Sequence, residues 1–189
     1  MISRLVVGCS LLLLAACQKA STPDAAGHSS AAPAASAAAE PALLAEGAQL
    51  PDVSAVEQDG SVVRLRDFLG KPVVVYFYPK DDTTGCTIEA KGIRDLYTDL
   101  KATSAVVIGV SSDDRDSHVA FTSKYQLPFV LLDDSAHKVE NAFGVPLSAG
   151  HAQRVTFVFD GAGKLRKVFP HVNPTGHAAE ILNTLKALG

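Results

Sequence analysis

From residue 61 onward, short apolar runs alternate with amphipathic stretches. “SVVRL” (residues 61–65) and “PVVVYFYP” (72–79) have the β-branched and aromatic content of strands. The second is apolar on both faces, which predicts a central position in a sheet. Ile88, Ile93, Leu96 and Leu100 recur at helical spacing and predict a helix over residues 84–101. “AVVIGVS” (105–111) reads as another buried strand, followed by a helix through “DRDSHVAFTSKYQ” with Asp113 or Asp114 as its N-cap. “FVLLD” (129–133), “RVTFVFD” (154–160) and “KLRKVF” (164–169) read as strands, the last two joined at “DGAG” by a hairpin turn. “TGHAAEILNTLKAL” closes the chain as a helix with Ile181, Leu182, Leu185 and Leu188 on its apolar face.

The first 46 residues follow none of these periods. Met1 to Arg4 form a short basic region, and residues 5–16 are an apolar run broken only by Gly8, Cys9 and Ser10. A bilayer span needs roughly twenty residues, so residues 1–16 read as a signal peptide. Its end, “LAAC” (14–17), resembles the bacterial lipobox, which implies that Cys17 is acylated and becomes the mature N-terminus. The small residues of “LAA” also suit an ordinary signal peptidase, and Cys9 leaves too short an apolar run before it to serve as the lipobox cysteine. Residues 17–46 are rich in Ala, Ser and Pro with almost no large apolar side chains, a composition expected of a flexible tether in which His28 is solvated. The folded domain is expected over residues 47–189.

The order β-α-β-α-β, then a hairpin and a last helix, implies a mixed central sheet flanked by helices, and it resembles a thioredoxin-like α/β domain. The net charge of −3 gives no reason to expect nucleic acid as a partner. His118, His137, His151, His171 and His177 show no metal-ligand spacing, so they are expected to be solvated or hydrogen-bonded, with no metal or cofactor. “DGAG” is a turn without phosphate-loop context.

Within that domain, “YFYPKDDTTGCTIEAKG” (76–92) places Cys86 just past the end of the central strand and in the first turn of a helix. Open α/β sheets put their sites there, and the unpaired N–H groups of a helix start favour a thiolate. Raising the thiolate fraction of an ordinary cysteine from roughly 3% to roughly 90% gains only about thirtyfold. Greater acceleration requires groups that stabilise the transition state. Asp81, Asp82 and Glu89 lie close in sequence and oppose a thiolate, so a cation must outweigh them. Lys80 and Lys91 are local, but Lys91 points to another helix face. Arg154, opening the strand “RVTFVF”, is the better candidate because a guanidinium can face sulfur and still offer donors to an oxygen ligand.

“PKDDTTGC” has the spacing Pro-x-x-x-Thr-x-x-Cys and resembles the active-site signature of peroxiredoxins. The longer string 73–95, with “LPFVLLDD”, “FGV” and “RVTFVFD”, is similar to the Q-type group, also called bacterioferritin comigratory proteins. The resemblance implies a thiol peroxidase acting on hydrogen peroxide and organic hydroperoxides. Cys86 would be the peroxidatic cysteine, Thr83 the hydroxyl that orients peroxide, Pro79 the shield of the pocket and Arg154 the cation. Thr83 also reads as an ordinary helix cap, and Arg154 as a surface strand residue.

Many Q-type members carry a resolving cysteine five residues after the first; here that position is Lys91. With Cys9 removed and Cys17 acylated, Cys86 is the one free thiol expected in the mature chain, so turnover needs an external thiol: a small thiol, a thioredoxin-like protein or a second copy. The expected molecule is a monomer or weak dimer in the cell envelope, lipid-anchored and facing the periplasm, with Gln18 after the lipid cysteine directing it to the outer membrane. Two other readings stand beside this one: a thiol-disulfide or copper-handling lipoprotein of thioredoxin fold, which lacks a C-x-x-C pair here, and a catalytically silent binding lipoprotein with an inert buried cysteine.

Overall fold

The computed structural model describes residues 42–189; the expected signal peptide, Cys17 and most of the expected tether lie outside the described residues. Nine strands are seen: β1 (Ser54–Glu57), β2 (Val62–Arg64), β3 (Val73–Phe77), β4 (Val106–Ser111), β5 (Val130–Asp133), β6 (Leu147–Ser148), β7 (His151–Ala152), β8 (Val155–Phe159) and β9 (Leu165–Phe169). Five helices accompany them: α1 (Thr84–Asp95), α2 (Tyr97–Ala102), α3 (Arg115–Tyr125), α4 (Lys138–Phe143) and α5 (His177–Leu188). Seven strands form one sheet in the order β2-β1-β5-β4-β3-β8-β9, while β6 and β7 make a separate small hairpin. The β3, β4 and β5 strands are parallel, and the remaining pairings of the large sheet are antiparallel. This is the mixed sheet of a thioredoxin-like α/β fold.

β3 shows why the sheet is covered on both sides. Its side chains alternate at period 2, so Val74 and Tyr76, with Tyr78 just beyond, enter one core with Cys86, Ala90, Ile93, Phe121, Ile181 and Leu185. Val73, Val75 and Phe77 enter the other with Val139, Phe143 and Phe157. Thus α1, α2 and α5, with Phe121 of α3, cover one face, and α4 covers the other.

The structure departs from the sequence reading in four places. The helix expected over 84–101 breaks at Leu96, whose φ of −98° and ψ of 7° leave the helical region, giving α1 and α2. Leu65 leaves the strand and begins a 3-10 turn, Leu65–Phe68. The half-exposed strand β1 and the short helix α4 were not apparent from the pattern; α4 starts where the Asp134 carboxylate accepts the N–H groups of Val139 and Glu140. Finally, Leu43 and Leu44, read as tether, pack against the second core, and the Leu44 N–H donates to the Phe143 carbonyl at 2.9 Å. Two local readings hold: Asp114 caps α3 by accepting the Ser117 N–H, and the Asp160 carboxylate accepts the N–H groups of Ala162 and Lys164 in the β8–β9 turn.

Gly109 of β4 sits directly beside Tyr76 of β3. A Cβ there would lie 2.6 Å from Leu131 Cδ2 and 2.8 Å from the end of the Tyr76 ring, all side chains locked in the core. Gly109→Ala is expected to destabilise the domain by about 1–3 kcal/mol, measurable as a lower midpoint in urea unfolding; an unchanged midpoint would mean that this core repacks freely.

Candidate active site

The antiparallel register of β3 and β8 pairs Phe77 with Val155. The residue before β8, Arg154, is therefore brought opposite the residue after β3, where the chain leaves the sheet for α1. On α1 the buried positions Cys86, Glu89, Ala90 and Ile93 follow i, i+3, i+4 and i+7 spacing, so Cys86 and Glu89 share the face turned to the sheet. The Arg154 guanidinium meets both: Nη2 donates to Cys86 Sγ at 3.2 Å, and Nη1 donates to Glu89 Oε2. Gly85 leaves room for this approach, since a Cβ there would lie 3.3 Å from Arg154 Nη2 and 3.7 Å from Pro174.

Cys86 is 2% exposed and Glu89 1%. Burial raises the Glu89 carboxyl to about 7, although the Arg154 charge and hydrogen bond pull it down. For Arg154, desolvation opposes its charge, but Glu89 and Cys86 more than offset this, and its pKa lies above the ordinary value. Glu89 Oε1 and the hydroxyl of buried Tyr76 have no hydrogen-bond partner among the described residues. His177 is also buried behind this cluster; Nε2 contacts the Thr156 hydroxyl at 2.9 Å, and burial, with help from the Arg154 charge, lowers its pKa.

Pro79 and Arg154 line one cleft of about 480 Å³, together with His151, Gln153, His171 and Val172 among others. Thr83 occupies the N-cap position of α1, but its side chain makes no capping hydrogen bond; the hydroxyl donates to the Lys80 carbonyl at 2.9 Å. Thr83 and Cys86 are not among the residues lining that cleft; Cys86 is linked to it by its contact with Arg154. Lys80 and Lys91 are exposed and make no ion pair among the described residues.

Of the three carboxylates read as opposing a thiolate, two are engaged elsewhere and the third shares Arg154 with Cys86. Asp81 is buried and accepts from the Tyr78 hydroxyl at 2.7 Å and the Ser117 hydroxyl at 2.8 Å, and it meets His118 Nδ1 at 2.8 Å. Asp82 pairs with Lys124 and accepts from the Tyr125 hydroxyl. Glu89 pairs with Arg154 and is the residue that sequence reasoning missed as part of the site. Its signal was present, because it lies three residues after Cys86 on the same helical face. Among the described residues, no group of His, Cys, Asp and Glu side chains converges as a metal site.

Residues 47–168 match the AhpC/TSA family. A chloroplastic peroxiredoxin Q of Suaeda salsa is 45% identical over 150 residues, which cover 78% of this chain and 70% of the relative. A putative peroxiredoxin bcp of Coxiella burnetii is 38% identical over 74% of this chain and 97% of its own. The crystal structure of peroxidoxin BcpB from Mycobacterium tuberculosis superposes with a TM-score of 0.71 at 32% identity, covering 76% of this chain and 97% of that one. An Arg-bound cysteine at the start of α1, on this fold and with these relatives, identifies the chain as a member of the AhpC/TSA family of peroxiredoxin Q or bacterioferritin comigratory type, a thiol-dependent peroxidase.

Proposed function

We propose that this peroxidase works with a single cysteine, Cys86, and an external thiol, and that it is held in the cell envelope by a lipid on Cys17. The observation that carries the one-cysteine reading is Arg154 Nη2 at 3.2 Å from Cys86 Sγ, in a chain with no cysteine after residue 86 and Lys91 on the outer side of α1. The Cys86 thiolate attacks one oxygen of hydrogen peroxide or an organic hydroperoxide. The S–O bond forms as the O–O bond breaks, giving a sulfenic acid and a hydroxide or alkoxide that takes up a proton. Arg154 and the Cys86 backbone N–H stabilise the stretched O–O charge. The Thr83 hydroxyl, already donating to Lys80, has lone pairs to accept the peroxide proton. Pro79 screens the sulfur from bulk water beside Arg154. The sulfenic acid then returns to thiol at the expense of a thioredoxin-like protein or a small thiol.

The anchor rests on “LAAC” at residues 14–17, and Gln18 supports the outer membrane, facing the periplasm. Full-length protein should fractionate with membranes, and Cys17→Ser should release it to the soluble fraction; equal partitioning of the two forms would remove the anchor from the account.

Cys86→Ser should abolish peroxide consumption, because no other thiol lies in the folded domain. Wild-type domain given one equivalent of peroxide should yield a Cys86 sulfenic acid trapped by dimedone, with no intramolecular disulfide. An unmodified Cys86 in folded protein, read by mass spectrometry, would refute the mechanism.

Glu89 supplies a pH dependence. Its carboxyl lies at about 7 when folded against 4.5 ordinarily, so the folded state binds the proton more tightly. This contribution to stability is full below about 4.5 and is lost as pH rises through about 7. Glu89→Gln keeps an acceptor for Arg154 and removes the titration. Wild type should therefore lose on the order of 1–3 kcal/mol more than Glu89→Gln between pH 4.5 and 8 in denaturant unfolding. Parallel curves for the two proteins would place the proton elsewhere.

A further inference from the structure

The cleft above Arg154 is much larger than hydrogen peroxide requires. It offers about 480 Å³, largely open to solvent, whereas a water molecule's share of liquid volume is about 30 Å³. None of its lining residues is acidic, while Arg154, His151, Gln153 and His171 among them carry side-chain N–H groups. Arg154 of this cleft lies 3.2 Å from Cys86 Sγ, while Cys86 itself is 2% exposed and outside the cleft lining, a setting that favours a small thiol over one carried on the surface of another protein.

Oxidation also changes the charge beneath this cleft. A thiolate at Cys86 neutralises part of the Arg154 charge, and a sulfenic acid does not. After oxidation Arg154 keeps Glu89 as its only carboxylate partner, and the field above it favours an anion more than before. The neutral peroxide thus meets the less positive form of the cleft, and the next molecule to enter meets the more positive one.

We propose that the oxidised enzyme uses this cleft to bind its reductant, a low-molecular-mass thiol bearing a carboxylate, with the acid group held by His151, His171 and Gln153 and the sulfur directed past Arg154 to Cys86. The proposal rests on the reading of Cys86 as the peroxide-reactive thiol. The small thiolate attacks the Cys86 sulfur; the S–S bond forms as the S–O bond breaks, and the departing hydroxide takes a proton to become water. A second thiolate attacks the small thiol's sulfur in this mixed disulfide, releasing a symmetric small disulfide and the Cys86 thiolate. Two thiols are oxidised and one sulfenic acid is reduced.

The test is a single-turnover experiment on the folded protein. Cys86 is oxidised with one equivalent of peroxide, the sulfenic acid is verified by dimedone adduct, and its loss is then followed with 3-mercaptopropionate, 2-mercaptoethanol or cysteamine at matched thiolate concentration. The acid should react faster than the neutral thiol and the amine slower, each by about two- to fivefold, the size expected of partly solvated charge contacts. His151→Ala/His171→Ala should bring the three rates together, whereas Lys91→Gln, on the outer side of α1, should leave their ratios unchanged. Raising salt from about 0.02 to about 0.5 M should shrink the ratios in wild type, a readout that needs no variant. Equal rates for the three thiols, ratios that survive the histidine pair, or ratios that vanish in Lys91→Gln would each overturn the proposal. If no dimedone adduct forms before thiol is added, it is the peroxidase reading that falls, and the reductant site falls with it.

Discussion

The site depends on one guanidinium held between a sulfur and a carboxylate. Arg154 Nη2 reaches Cys86 and Nη1 reaches Glu89, and neither contact survives a shift in the β3–β8 register. A slip of one residue would turn the neighbouring side chains of β8 to the opposite face of the sheet. Register is held by side chains that enter both cores, with Val74 and Val158 on one side and Val75 and Phe157 on the other. The charge arrangement therefore follows from apolar packing. Arg154 in turn lets Glu89 ionise near neutrality at 1% exposure, since burial alone would hold the carboxyl protonated.

A second network determines where the chain enters α1. Asp81 accepts from Tyr78 and Ser117 and meets His118, whose other nitrogen faces the Leu132 carbonyl at 3.1 Å; its own N–H donates to Asp113. These partners come from the end of β3, from α3 and from the β4–α3 connection, so the loop before Cys86 is tied to three elements. The same bonds turn the Asp81 charge towards donors other than the thiol. Local sequence suggested a carboxylate beside the sulfur, and tertiary structure gives it other partners.

Much of this was legible in the chain because it rests on local pattern. The central strand, the hairpin at Asp160 and the helix opening at Cys86 come from periodicity, turn chemistry and strand-to-helix punctuation, all within a few residues. Arg154 was identifiable as the cation by type and by its place at the start of a strand, although its partner in register was not. Glu89 was identifiable as a carboxylate near the sulfur, but its pairing with Arg154 was not, because that contact depends on the sheet closing over α1. The strand β1 was hidden for a similar reason: half-exposed, it carries little apolar pattern, and pairing with β2 and β5 makes it a strand. The break at Leu96 also escaped the pattern, since apolar spacing continues across it from α1 to α2.

Lys91 links the architecture to the chemistry. Cys86 and residue 91 are separated by some 140° around an intact helix of 3.6 residues per turn, and Cys86 faces the sheet while Lys91 is exposed. A disulfide between these positions needs the first turn of α1 to unwind, because sulfurs bond only when their Cα atoms lie within about 7 Å and their Cβ vectors converge. Unwinding would withdraw Cys86 from Arg154 and break the packing of the first turn of α1 against the core. A lysine at position 91 gives nothing to offset that loss. On the one-cysteine proposal the packed helix is the form in which both halves of the cycle occur, and the cleft above Arg154 is the route proposed for the reductant.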